Sequence, residues 1–92
     1  MARLDVHAAR AIAEDRLARE SDGLDLVLLD RVDEIRRHWV FYPNSRAFAE
    51  TADPLTALAG NGPYAVPMDG GPLKRLSPAL PAESQLPERG DE

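Results

Sequence analysis

The sequence predicts an α+β fold, an N-terminal amphipathic helix packed on a small antiparallel sheet of about four strands. Three observations predict it. Ninety-two residues make one small domain that buries only about 60–65% of the surface its unfolded chain exposes, so the core must form between two layers. One helical period occupies the first twenty residues. Beyond it, short β-branched and aromatic runs alternate with Gly-, Pro- and Asp-rich punctuation.

The helix is predicted over residues 4–20. At about 100° per residue, Val6, Ala9, Ile12, Ala13 and Leu17 fall on one side, with His7, Glu14 and Ala18 opposite. Asp5 precedes the first turn, where its carboxylate can accept from free amides, and Ser21-Asp22-Gly23 supplies the stop. The apolar stripe is rich in alanine, which lets the helix lie close against a sheet.

In "LDLVLLDRVDEIRRHWVFY" (24–42), Leu28, Val32, Ile35 and Trp39 sit at helical spacing, so a second helix competes. The β-branched and aromatic content and the preceding Asp-Gly favour two antiparallel strands, roughly 24–32 and 36–42, joined near Asp33-Glu34. Pro43-Asn44-Ser45 is expected to end the second. Residues 46–59 read as a connection with a helical turn around Pro54-Leu55, capped by Asp53. Runs at 63–68 and 72–77 flank Asp69-Gly70-Gly71, a hairpin signal that leaves Pro67 and Pro72 to edge or strand-end positions. The domain is expected to span 1–81, with 82–92 an acidic, Pro- and Glu-rich tail lacking order.

Composition narrows the chemistry. Eleven basic against sixteen acidic residues give a net charge of −5, which opposes binding to nucleic-acid backbones. Zero cysteines remove disulfides, thiolate metal sites and cysteine nucleophiles. Charge recurs through the first twenty residues, and no run reaches the roughly twenty apolar residues of a membrane span. A cytoplasmic protein with no membrane partner is the expectation.

No constellation reads as catalytic, cofactor-binding or metal-ligating. Gly60-Asn61-Gly62 could open a phosphate loop, but Pro63 follows at once and no Lys or Ser/Thr stands in place, so a tight bend with positive φ is predicted instead. His7 and His38 lack ligand spacing and are assigned to solvated surface. Asp30, Asp33 and Glu34 lie on strand or turn positions that read as solvent-facing, where a carboxylate does not acquire a raised pKa. Trp39 and Phe41 share one strand face and are predicted to meet the helix. Val40 and Tyr42 share the other, where an open apolar patch would mark a partner site.

The stretch "HWVFYPNSRAFAETADPLTALAGNGPYAVPMDGG" resembles the signature of the YrhB-like or immunity protein 35 family of bacterial polymorphic toxin systems. Trp39, Val40, Phe41, Tyr42, Asn44, Ser45, Glu50, Thr51, Asp53, Ala57 to Gly60, Asn61, Gly62, Pro63 and Gly70 stand at matching places. Pro43, Ala52 and Pro67 depart from the pattern. The resemblance implies a small α+β protein that neutralises a cognate toxin by binding it, with no catalytic residue and no cofactor. Some relatives are described instead as chaperone-like, binding partly unfolded clients. The motif residues Trp39, Phe41, Asn44, Ser45, Asp53, Gly60, Asn61, Gly62, Pro63 and Gly70 are read as fold residues. Asp30, Asp33, Glu34 and Tyr42 are the candidate contacts for a toxin, a basic one if charge complementarity sets the encounter.

Overall fold

The computed structural model describes residues 3–20, 23, 25–53 and 62–86. Its elements run α1 (Val6–Glu20), β1 (Leu26–Ile35), β2 (His38–Ser45), α2 (Arg46–Thr51), β3 (Tyr64–Pro67), β4 (Lys74–Arg75) and α3 (Ala82–Gln85). The four strands form one antiparallel sheet in the order β1-β2-β3-β4. The predicted α+β architecture is the observed one.

Asp5 caps α1 as expected, its Oδ1 accepting from the Ala8 amide at 2.8 Å. Ala9, Ala13 and Leu17 are buried against the sheet. Ile12, expected among them, is 40% exposed. Because two of the three buried residues are alanines, the helix sits close and its contact stripe is narrow, leaving Ile12 outside it. Gly23 has φ +84°, the glycine conformation that the Asp-Gly stop requires.

The first hairpin turns later than predicted. β1 continues through Asp33 and Glu34 to Ile35, and the chain reverses at Arg36-Arg37, where Ile35 pairs with His38. Both arginines have positive φ, +48° and +65°, the backbone of a two-residue turn whose twist matches the flanking strands. β2 likewise runs past Pro43 to Ser45. β3 begins opposite Phe41, so at Pro43 β2 is paired only with Leu28 of β1, and a residue without an amide donor is accommodated there. The register of β1 against β2 shifts between Leu28 and Val32, which places a bulge at residues 29–31 opposite Tyr42.

α2 begins at once after β2 and is capped by Ser45, whose Oγ accepts from the Phe48 amide at 3.0 Å. Helical structure thus falls earlier than expected; the turn around Pro54-Leu55 lies outside the described residues. β3 and β4 form the expected second hairpin, shortened to the pairs Tyr64–Arg75 and Ala65–Lys74. Gly70 has φ +88°, and Asp69 Oδ1 accepts from the Gly71 amide at 2.8 Å. Pro67 closes β3 opposite His38, and Pro72 precedes β4.

Both faces of the sheet are covered. On one, Leu28, Phe41, Tyr64 and Val66 pack with Ala9, Ala13 and Leu17 of α1, and Trp39 lies at the margin. On the other, Val40 and Ala65 pack with Leu76 and Leu86, flanked by Ile35, Tyr42 and Ala82. This second face was expected to be open. Residues 76–86 cover it, so Val40 is fully buried and the open apolar patch is absent among the described residues. The packed chain extends past 81: Ala82–Gln85 is helical and Leu86 is 4% exposed, while 87–92 lie outside the described residues.

The same cover corrects His38, which was assigned to solvated surface and is 1% exposed. Its Nδ1 lies 2.8 Å from the Arg36 carbonyl oxygen, and its Nε2 is buried with no hydrogen-bond partner among the described residues. His7 is exposed as predicted.

Candidate partner-binding surface

The register of the first hairpin brings Asp33 and Tyr42 together near the rim of the second face. The Tyr42 hydroxyl donates to Asp33 Oδ2 at 2.5 Å, and the Arg31 guanidinium donates to the same oxygen at 2.9 Å. Arg31 also stacks over the Tyr42 ring, 4.5 Å from its centroid, a cation–π contact that fixes the ring. The bulge at 29–31 is what carries Arg31 over Tyr42. In strand periodicity Arg31 and Asp33, two apart, share a face; that spacing was the available sign of an interaction the sequence reading missed.

The electrostatics follow from those contacts. The Tyr42 hydrogen bond, then Arg31, hold the Asp33 carboxyl below its ordinary range. This is the opposite of the raised pKa that proton-transfer work asks of a carboxylate near neutral pH. Burial, then the bond to Asp33, push Tyr42 up to about 12. Asp30 and Glu34 are exposed. Asp30 lies in the bulge, and Glu34 pairs with Trp39, which places it at the margin of the helix-bearing face. The four expected contact residues therefore do not form one cluster. Asp33 and Tyr42 are joined, and Asp30 and Glu34 flank them along β1.

A second tyrosine is held in the same way. The Tyr64 hydroxyl donates to Glu20 Oε1 at 3.0 Å, and Arg75 lies 3.4 Å from that oxygen and 5.9 Å from the ring centroid. Arg16 approaches the other Glu20 oxygen at 3.6 Å. This group ties the end of α1 to the second hairpin. Burial, then Glu20, push Tyr64 up to about 12.

Tyr42 and Tyr64 are the only tyrosines of the chain, so absorbance near 295 nm reads both. A raised folded-state pKa contributes stability below the unfolded value near 10, and that contribution is lost as pH rises through the folded value. The native protein is expected to show no tyrosinate step near pH 10 and a late one near 12, accompanied by unfolding. The urea-unfolded chain should titrate near 10. A native step near pH 10 would show that the phenols are not held as described.

The family-motif positions that are described make contacts within the domain. The Trp39 indole donates to the Leu4 carbonyl at 3.0 Å, which pins the chain ahead of α1. Phe41 is fully buried, and Ser45 caps α2. Asn44 Oδ1 accepts from the Ser45 amide at 2.8 Å, and the Asp53 amide donates to Thr51 Oγ1 at 3.2 Å. The Pro63 carbonyl accepts from the Leu76 amide at 2.9 Å. Gly62 does not have the positive φ expected of it; glycine is required there by close approach, since a Cβ would stand 1.6 Å from the Leu76 carbonyl oxygen. Gly60 and Asn61 lie outside the described residues.

A groove of about 320 Å³ separates α1 from the start of β1, lined by Leu17, Ala18 and Leu26 to Leu28 beneath Arg10 and Glu14. Arg10 is engaged there, donating to the carbonyls of Leu28 at 3.1 Å and Leu29 at 3.4 Å and facing Glu14 at 3.4 Å. Among the described residues, no three His, Cys, Asp or Glu side chains are grouped to hold a metal ion, and no helix is long and apolar enough to cross a membrane.

The sequence is similar to the uncharacterized protein YrhB of Escherichia coli (strain K12), at 38% identity over 66 residues that make up 71% of this chain and 70% of that protein. No solved structure matches. The family model described as Immunity protein 35 matches residues 7–88, which takes in both hairpins, the helix and the covering segment. The chain belongs to the immunity protein 35 family.

Proposed function

We propose that this protein protects a bacterial cell from a cognate toxin by binding the toxin directly in the cytoplasm, without catalysis. The observation that carries the reading is the family match over residues 7–88. The net charge of −5 supports a basic partner, because charge complementarity steers encounter. The contact surface proposed is the outer part of the first hairpin, with Asp30, Asp33, Glu34 and Tyr42. Tyr42 supports it physically: a ring already fixed by Arg31 and Asp33 loses little freedom on binding, which is how aromatic anchors contribute.

Co-expression with the toxin encoded by the neighbouring gene tests the reading. The expected result is rescue of growth and a one-to-one complex; no rescue together with no complex overturns it. A separate measurement tests the surface. Asp30→Lys/Glu34→Lys is expected to slow association roughly 3–10-fold at low ionic strength, with the difference shrinking as salt rises. The pair Asp15→Lys/Glu50→Lys makes the same charge change at exposed positions on α1 and α2. Equal slowing by both pairs would remove the contact from the first hairpin.

A further inference from the structure

The segment that covers the second sheet face is closed mainly upon itself. Gln85 clasps its two ends: its Oε1 accepts from the Ser77 amide at 2.7 Å, and its Nε2 donates to the Ser77 carbonyl at 3.0 Å and the Leu80 carbonyl at 3.2 Å. Ser84 donates back to the Pro81 carbonyl through both its amide and its hydroxyl. The nine residues 77–85, with adjoining ends held by these hydrogen bonds, make a self-contained loop.

Pro78 stands beside Gly62 of the body, 3.2 Å from where a Cβ on that glycine would lie. Leu86 inserts beside Val40 and Ala65, with Ala82 half-buried next to it. The Arg36 guanidinium donates to the carbonyls of Leu86, at 3.0 Å, and Glu83. By contrast the residue just before the loop belongs to the body, since the Leu76 amide is bonded to the Pro63 carbonyl. The boundary between a body-bonded and a loop-bonded amide thus falls between residues 76 and 77.

Arg36 holds this position at a conformational cost. Its φ of +48° lies in the left-handed region that side chains other than glycine, asparagine and aspartate rarely adopt. Strain of that kind persists where the surroundings impose it, and here the backbone aims the guanidinium at the end of α3.

We propose that residues 77–86 are a hinged cover, with the hinge at Leu76-Ser77 and Arg36 as its catch. The cover opens as a unit while the sheet stays folded. Leu76 stays against the sheet, and opening uncovers the part of the face that Leu86 and Ala82 occupy beside Val40, Ala65, Ile35 and Tyr42, adjoining the Asp33–Tyr42 pair. A loop bonded mainly within itself and held, among the described residues, by Leu86, Pro78 and the Arg36 catch fits a low-stability unit of a domain, and such units open well before global unfolding. This inference stands apart from the toxin-binding reading and survives its failure.

Amide hydrogen exchange of the full chain, read by NMR, tests it at two adjacent residues. Ser77 reports the loop and Leu76 the body. In the wild type, Ser77 should exchange faster than Leu76, with a urea dependence that is measurable but smaller than that of global unfolding. Arg36→Gly removes the catch and also relieves the positive φ. It is expected to speed Ser77 about tenfold, the factor of one hydrogen bond from a charged donor, and to leave Leu76 unchanged. Leu86→Ala, which weakens the docking of the loop on Val40 and Ala65 and leaves the acceptor of the Ser77 amide in place, should do the same. A Ser77 rate unmoved by both substitutions, or moved together with that of Leu76, overturns the proposal.

Discussion

Gly62→Ala is expected to destabilise the protein by about 3 kcal/mol or more, at the upper end of what one added methyl group costs in a packed interior. The reason is the identity of the atom it meets. A Cβ at residue 62 would lie 1.6 Å from the Leu76 carbonyl oxygen and 2.8 Å from its carbonyl carbon. Backbone cannot rotate aside as a side chain can. Relief would separate the two segments, and the Leu76–Pro63 hydrogen bond beside them would lengthen. Since a domain of this length holds roughly 5–14 kcal/mol in total, the midpoint of urea unfolding should fall steeply. Gly71→Ala is the control in the same hairpin. Its Cβ would meet the Asp69 carboxylate at 3.1 Å, a side chain that can yield, so a loss below about 1 kcal/mol is expected. Equal midpoints for the two variants would show that the approach of residue 62 to residue 76 is not what glycine serves.

Phe41→Ala should cost about 3–5 kcal/mol. Phe41 is fully buried at the centre of the sheet, paired with Val32 on one side and Tyr64 on the other, and packed under the helix. The helix cannot easily collapse into the void, because Ala9 and Ala13 already bring its backbone close. Phe41→Leu keeps most of the volume and should recover more than half of the loss. A loss below about 1 kcal/mol for Phe41→Ala would mean that the helix-side core is not closed over β2.

How much of this could be seen beforehand varies with the kind of signal. The helix was legible because Asp5 marks its start and a single period runs to Leu17. The second hairpin was legible because Asp69-Gly70 states the backbone it needs. The first turn was not. Arg36 and Arg37 carry no preference for positive φ, whereas Asp33-Glu34 resembles a polar break; the turn falls where strand pairing and the contact of Arg36 with Leu86 place it. Nor was the cover legible, since Leu76 and Leu86 are isolated apolar residues in a stretch whose Pro, Glu and Ser content resembles a tail. Missing the cover led to two errors at once, the open face at Val40 and the exposed His38. Of the candidate surface, Asp33 and Tyr42 were each named, but a turn at Asp33-Glu34 would have held them apart; the later turn joins them, and the bulge that adds Arg31 leaves no pattern in the local composition.

One contact has a practical reading. The chain has a single tryptophan, and its indole N–H is bonded to the Leu4 carbonyl, while the Leu4 amide donates to the Met68 carbonyl at 2.8 Å. The only indole fluorophore therefore sits where the N-terminal segment meets the sheet, on the face opposite the cover. Its emission follows detachment of the helix and is blind to movement of residues 77–86. The two tyrosines straddle the faces, Tyr64 in the helix-side core and Tyr42 beside the cover. Fluorescence thus reports the helix layer alone and phenol absorbance both layers, so on one unlabelled sample a phenol change that precedes the fluorescence change marks the cover.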